Sequence, residues 1–441
     1  MTTRFSLQEV ILIFTVTIAC LMVAISFDWP LFLAMIPGLL LLSYTGMKHG
    51  YKGRDFLQSS MEGLRRNRNV AWLLFYIGIL LPTWHFSNTI NDVNALFLSF
   101  ISPAFFFTIA FLIAVMMSMI VGSAIATLSI VGVPMMAAGE QLGLPVAVVA
   151  GALVSGGFVG DRSSPISSSF QLLRMSTEID TRTHFRTIAP TMIAGIIITS
   201  TLFLVLDFII PKSNSAPITT FPSQDLQFGS ILISLLPPLV LLLMILLGQE
   251  MKLSFTLGIG TGVIILLVRG IGISEWLEGL IYGVASLNGV LDMLPFVFFI
   301  LIVGAYCQIM EDTRMAQPYI EKIFTNRNSL KKNTAKSIGV AAGISLISPN
   351  QSFPIILTAR TLLPFWNLHF SKQHLSRILA DSTVMFAGLV PWSLLAILCS
   401  TILGVPVLSY GPFAIFLLAM PLITWIYSTV VTEREPMKKA G

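Results

Sequence analysis

Charge is what this sequence has least of. Lys and Arg number 26 and Asp and Glu 21, so charged side chains make up only 11% of 441 residues, against about 25% in an ordinary soluble domain. So little charge excludes a soluble globular enzyme, and it also excludes a disordered chain, whose composition is the opposite one. Cysteine is equally scarce. Cys20, Cys307 and Cys399 each sit inside an apolar stretch with no CxxC pair, which rules out a disulfide scaffold and reads as three small buried hydrophobes. His85, His184, His369 and His374 are scattered beside polar loops, none at ligand spacing from another, so no histidine metal site is expected. HExxH, GxSxG and P-loop patterns do not occur, which removes the common hydrolase signatures and a nucleotide-driven pump. The net charge of +5 is no nucleic-acid signal, because the basic residues lie in short loops beside apolar segments.

What fills the chain is apolar: 55% of the residues are hydrophobic. Runs of roughly 18–24 residues are long enough for a helix to cross a hydrocarbon core of about 30 Å. They cover 8–26, 29–46, 70–88, 98–121, 145–165, 187–210, 229–249, 253–271, 294–310, 380–402 and 410–430. Two further stretches, 122–142 and 337–365, are apolar but interrupted by Gly, Pro and polar residues. A lipid-facing barrel would alternate apolar and polar residues, and these runs do not. The expectation is an all-α polytopic membrane protein with about 11–13 transmembrane segments in a lipid bilayer. Met1 to Leu12 carries no small-residue cleavage site, so the first run is expected to be a retained span.

Loop charge sets the orientation. The 47–69 loop carries Lys48, Lys52, Arg54, Arg65, Arg66 and Arg68, and the 311–336 loop carries Arg314, Lys322, Arg327, Lys331, Lys332 and Lys336. Both are expected to be cytoplasmic, with 172–186 and the tail (Arg434, Lys438, Lys439). The turn at 27–28 and the 89–97 loop lack Lys and Arg, and 211–228 has only Lys212, so these face outside. The protein is therefore expected in the cell inner (plasma) membrane with both termini cytoplasmic. Parity adds a constraint: with 311–336 and the tail on one side, the 337–365 stretch cannot be a single pass and must return, at the polar break Ser348-Pro349-Asn350-Gln351-Ser352.

The two halves share a layout. Asp161 follows Gly122, and Asp381 follows Gly343, at nearly the same distance, with Pro134 and Pro354 in matching places. Each half thus has a Gly/Pro-broken stretch followed by an apolar helix with one aspartate, and the loop charges make those helices run in opposite directions. That is the signature of an inverted repeat with its substrate site at the midplane. The expected organisation is 1–69 as N-terminal spans with a basic cytoplasmic loop, 70–210 as the first repeat, 211–293 as connecting spans, 294–432 as the second repeat and 433–441 as a cytoplasmic tail.

A carboxylate in a membrane span is costly enough to be functional by default. Asp161 is followed by Arg162, Ser163, Ser164, Pro165, Ser167, Ser168 and Ser169; hydroxyls beside a proline give the oxygen-rich shell that Na+ prefers. The bland alternative is a membrane-edge carboxylate neutralised by Arg162. Asp381 has Arg377 one turn before it and Ser382 and Thr383 after it. Four-residue spacing predicts an Arg377–Asp381 pair on one helix face, either as a lock or beside a titrating, cation-binding Asp381. Asn350 and Gln351 either cap the hairpin or line the ion path, with Thr127 as a further pathway oxygen. An intramembrane aspartyl protease also uses two aspartates, but the run Gly157-Phe158-Val159-Gly160-Asp161 is one residue longer than the Gly-x-Gly-Asp pattern, and that enzyme is only a remote alternative. The multiple spans and two broken stretches point to transport.

At these motifs the chain resembles the NhaC-type sodium/proton antiporter family, within the ion-transporter superfamily. The family's Gly-Asp-Lys/Arg-x-Ser-Pro-x-Ser-Asp run is matched from Gly160 to Ser167, its Gly-Asn-x-x-x-x-Ile-Val-Leu-x-Gly-Arg run is echoed from Asn350 to Arg360, and its Leu-Ser-Arg-x-Leu-Glu-Asp-Ser run appears from Leu375 to Ser382. Pro391-Trp392 and Leu403-Gly404-Val405-Pro406 follow as in the family. The departures are specific. The family's second aspartate is Ser168, the Glu before Asp381 is Ala380, the Asn after the Pro-Trp pair is Ser393, and hydroxyl positions beyond Asp381 are Val384, Phe386 and Ala387. The resemblance implies a secondary active Na+/H+ antiporter, working by alternating access of one repeat against the other, with Na+ and H+ competing at Asp161 and Asp381. It implies a Na+ site at Asp161, oxygens from Ser163, Ser164, Ser167, Thr127, Asn350, Ser382 and Thr383, charge partners Arg162 and Arg377, and no cofactor. An ion-coupled exchanger or symporter of a small organic acid or amino acid is the alternative, and a homodimer is compatible with carriers of this kind.

Overall fold

Out of water, a chain satisfies its backbone N–H and C=O groups most simply inside helices, and the computed structural model follows that rule throughout. It describes residues 5–27, 29–100, 103–210, 232–284, 287–324, 329–348 and 350–430. The expectations placed on Pro349, Arg327, the 211–228 loop and the C-terminal tail lie outside the described residues.

The first half runs α1 (Leu7–Ser26), α2 (Leu31–Lys48), α3 (Gly53–Phe86), α4 (Thr89–Phe100), α5 (Phe106–Val121), α6 (Ala124–Thr127), a π turn (Leu128–Gly132), α7 (Val133–Gln141), α8 (Val146–Ser163), α9 (Ser168–Ser176) and α10 (Thr181–Ile209). The second runs α11 (Leu236–Leu246), α12 (Met251–Val268), α13 (Ile273–Tyr282), α14 (Val290–Thr313), α15 (Gln317–Ile323), α16 (Leu330–Ile347), α17 (Ser352–His369), α18 (Lys372–Phe386), α19 (Leu394–Leu403), α20 (Val407–Tyr410) and α21 (Ile415–Val430). Among the described residues eight helices are long and apolar enough to cross a membrane, nine if the pair bent by 90° at Leu403 is one span. The sequence suggested more because several apolar runs are broken: 98–121 is split between α4 and α5, and 380–402 divides at the turn between α18 and α19.

Both interrupted stretches break where expected. Gly122 ends α5 with φ 72°, a conformation that glycine adopts without strain, and a helical return follows through α6, the π turn and α7. The π turn ends just before Pro134, whose missing N–H and bulky ring favour a widened turn. In the second half α16 and α17 pack together, with Trp366 Nε1 donating to Ser337 at 3.2 Å, so the 337–365 stretch doubles back on itself.

Small residues set the helix crossings. A Cβ on Gly63 would stand 2.1 Å from the Gly304 carbonyl oxygen, and one on Gly78 would stand 3.1 Å from that of Gly289, so α3 and α14 cross closely and run antiparallel. Around them α2 packs on α14 and α12 on α3, with α1–α2 and α11–α12 as matching hairpins. Ser118 contacts Gly156 and Gly160, and Ser164 contacts Met119, so α5 and α8 run parallel. Phe107 meets Asp207 and Phe111 meets Phe203, so α10 runs against α5. Ser376 meets His184 and Arg377 meets Thr187, so α18 runs with α10. The two aspartate-bearing helices, α8 and α18, therefore run in opposite directions, as the inverted layout requires.

Candidate functional site

α8 is buried from Val148 to Ser163 because glycines let α5 lie against its backbone. A Cβ on Gly160 would stand 1.9 Å from the Ser118 carbonyl oxygen. Ser118 ties the contact: its hydroxyl donates to the Gly156 carbonyl at 2.7 Å and accepts from the Gly160 N–H at 3.0 Å. The next two residues, Asp161 and Arg162, thereby have fixed positions at the end of α8.

The chain then turns and restarts as α9. Ser167 caps that helix, accepting from the Ser169 N–H at 3.2 Å, while its hydroxyl donates to the Asp161 carbonyl at 2.5 Å and lies 3.5 Å from Asp161 Oδ1. Ser169 Oγ lies 3.3 Å from Asp161 Oδ2. From the hairpin turn of the other half, Gln351 Nε2 donates to the same oxygen at 2.8 Å, and Gln351 Oε1 accepts from Ser169 at 3.0 Å. Asp161 is only 7% exposed, and every side chain bonded to it is neutral. No Lys, Arg or His among the described residues forms an ion pair with it.

Arg162 is not the partner of Asp161. Its guanidinium turns into the other half and pairs with Asp381, both side chains having no exposure. Nη1 donates to Ser163 at 2.8 Å, and Nη2 to Thr191 Oγ1 at 2.8 Å and the Ile188 carbonyl at 3.2 Å. The second Asp381 oxygen accepts from Thr424. The expected Arg377–Asp381 pair does not form, although the spacing allows it. Arg377 instead donates to the Thr187 carbonyl at 2.9 and 2.5 Å, contacts His374, and lies over the Tyr427 ring at 4.1 Å. Helical spacing permits a pair; here a shorter path to a carbonyl and an aromatic face took one arginine, and the facing half supplied the other.

The remaining expected oxygens divide. Ser167 reaches Asp161, but Ser163 is held by Arg162 and Ser164 donates to Met119. Thr127, Ser382 and Thr383 donate to carbonyls of their own segments, at Ser123, Ile378 and Leu379. Asn350 donates to Asn67 at 2.9 Å and caps Ser352, while its neighbour Gln351 takes the place at Asp161. Ser169, Thr191 and Thr424 were not singled out as site residues. Ser169 belongs to the visible serine run, whereas nothing local marks the two threonines.

A cavity of about 240 Å³, lined by Asn67, Gly304, Cys307, Gln308, Asn350 and Ser352 among others, lies one residue from Gln351. It shares Arg66 and Gln308 with a larger cavity of about 900 Å³ along α3 and α14. No cluster of three or more His, Cys, Asp or Glu side chains suited to a metal occurs among the described residues. A single carboxylate ringed by hydroxyl, carbonyl and amide oxygens suits a hard monovalent cation and not a transition metal.

The profile of the Na+/H+ antiporter family matches residues 10–208 and 223–430, nearly equal stretches that take in both halves. Among similar proteins, a Na+/H+ antiporter NhaC of Alkalihalophilus pseudofirmus is 26% identical over 392 residues, covering 85% of each chain. A malate-2H+/Na+-lactate antiporter of Bacillus subtilis is 26% identical over 92% of this chain and 91% of that one. An arginine/ornithine antiporter, ArcD, of Halobacterium salinarum is 25% identical over 89% and 86%. With nearly its whole length matched, this chain belongs to the Na+/H+ antiporter family.

Proposed function

We propose that this protein is a secondary active Na+/H+ antiporter in which Na+ and H+ exclude one another at Asp161. The observation that carries this is a buried carboxylate bonded only to neutral groups. A bare anion away from water is costly, so Asp161 takes either a proton or a cation, and the exclusion couples the two fluxes. Ser167, Ser169 and Gln351 supply oxygens beside it, and the cavities along α3 and α14 offer an aqueous route. Transport runs by alternating access of one repeat against the other, and the buried Arg162–Asp381 pair lies where the two halves meet. The basic loops support a plasma-membrane protein with both termini cytoplasmic.

Transport of a solute carboxylate, as the malate/lactate relative's name describes, is the second reading. Among the described residues the buried Arg162 and Arg377 are engaged by Asp381 and by the Thr187 carbonyl with the Tyr427 ring, and Arg66 in the neighbouring cavity pairs with Glu62 and Glu311, which favours the cation reading. A dye-based ΔpH assay in everted vesicles tests the choice. Na+ or Li+ is expected to dissipate ΔpH, and Asp161→Asn, which preserves shape and removes the exchanging charge, is expected to abolish the response while insertion persists. Silence with every cation alongside a response to malate, lactate or amino acids would move the protein to the solute reading.

A further inference from the structure

Arg162 is the cation nearest in sequence to the exchanging carboxylate, its neighbour in the last turn of α8. An arginine beside a Na+ site is a built-in competitor, since a guanidinium forms a bidentate, permanently charged pair with a carboxylate. Here it is held away. Asp381 Oδ1 accepts from Nε and lies against Nη2, Ser163 accepts from Nη1, and Thr191 and the Ile188 carbonyl accept from Nη2. Thr424, on α21, fixes the far oxygen of Asp381. Of these groups only Asp381 is charged. Without it a buried guanidinium would be left with neutral acceptors, and an uncompensated buried charge seeks a counter-ion. Among the described residues the buried carboxylates are Asp161, Asp207 and Asp381. Asp207 is occupied by Phe107 and Thr108, which leaves Asp161.

We infer that Asp381 and Thr424 are positioning residues that hold Arg162 off Asp161, keeping the cation site free of a fixed countercharge. This rests on the cation reading of Asp161 and assigns Asp381 a role distinct from ion binding. The aspartate of the second half then sets how strongly the first half's site binds Na+, without touching the ion. It also gives a reason for a buried ion pair bridging two halves beside a transport site.

The test is Na+ dependence of exchange in proteoliposomes of the full-length protein, with fold checked by size-exclusion chromatography. Asp381→Asn is expected to raise the apparent KM for Na+ by about tenfold or more, the scale seen when a group supporting a metal site is removed. The maximal rate at saturating Na+ should stay near wild type, because a tethered competitor is overcome by more ligand. The double variant Arg162→Gln/Asp381→Asn removes the competitor along with its holder and is expected to bring KM back toward the wild-type value. Thr424→Val, which keeps the ion pair, should give a smaller rise in KM and serves if Asp381→Asn does not fold. Loss of maximal rate without recovery in the double variant would overturn the inference, as would unchanged KM in Asp381→Asn and Thr424→Val, while leaving exchange at Asp161 intact. Wild-type protein that exchanges neither Na+ nor Li+ for protons would remove the cation reading, and this inference with it.

Discussion

If Na+ and H+ exclude one another at Asp161, as proposed, its arrangement sets a pH dependence. Na+ cannot bind the carboxylate until the proton leaves, so apparent Na+ affinity is proton-linked. The apparent KM for Na+ should fall as pH rises, by up to about tenfold per unit while the site is mainly protonated, and level off once it is not. Initial exchange rates at several fixed pH values measure this, and a KM independent of pH would show that H+ and Na+ do not share the site. The sequence made Asp161 and Asp381 visible because two intramembrane carboxylates recur at matched distances from glycines. It could not say that Gln351 rather than Asn350 turns toward Asp161, since that depends on the rotation of the hairpin turn. Nor could it say which arginine Asp381 takes: the four-residue rule pointed to Arg377, whereas the facing half supplied Arg162.

At the level of elements, apolar runs located the spans well, because a membrane demands length and apolarity from each helix regardless of its partners. They overran where a helix stops short of the end of its hydrophobic run, as between α4 and α5. The restart of α5 has a cause the sequence concealed. Asp207, near the end of α10, accepts the Phe107 N–H at 3.0 Å on one oxygen, and the Thr108 N–H at 3.0 Å and hydroxyl at 2.8 Å on the other. It caps the first turn of α5 from 100 residues downstream, satisfying N–H groups that have no partner within the helix. Asp207→Ala should therefore cost roughly 1–2 kcal/mol, as loss of a helix cap does. Thermal unfolding in detergent should show a lower midpoint, while the apparent KM for Na+ stays unchanged because Asp207 is not part of the exchange site. An altered KM with unchanged stability would contradict this structural role.

For the whole molecule, the count of exchanging charges fixes how transport responds to the membrane potential. Whatever fixed charge the moving helices carry outward they also carry back, so net charge per cycle equals the difference between the cation load and the proton load. A second free carboxylate would add a second proton, but Asp381 is committed to Arg162 and Thr424. The acidic positions of the resembling family next to both motifs are filled here by Ser168 and Ala380. Breaking one side of a buried ion pair costs about 3–5 kcal/mol, so Asp381 is not counted as a second exchanging site. On the proposed reading, one proton leaving Asp161 for one Na+ arriving makes the exchange electroneutral. The measurement is the balance point, the Na+ and H+ gradients at which flux stops in proteoliposomes clamped at different potentials. One elementary charge per cycle is worth about 2.3 kcal/mol per 100 mV, and would move the balance about 50-fold. With a single exchanging carboxylate it should not move at all, and flux should stop where the Na+ and H+ concentration ratios are equal; a balance point that follows the potential would require a second exchanging charge.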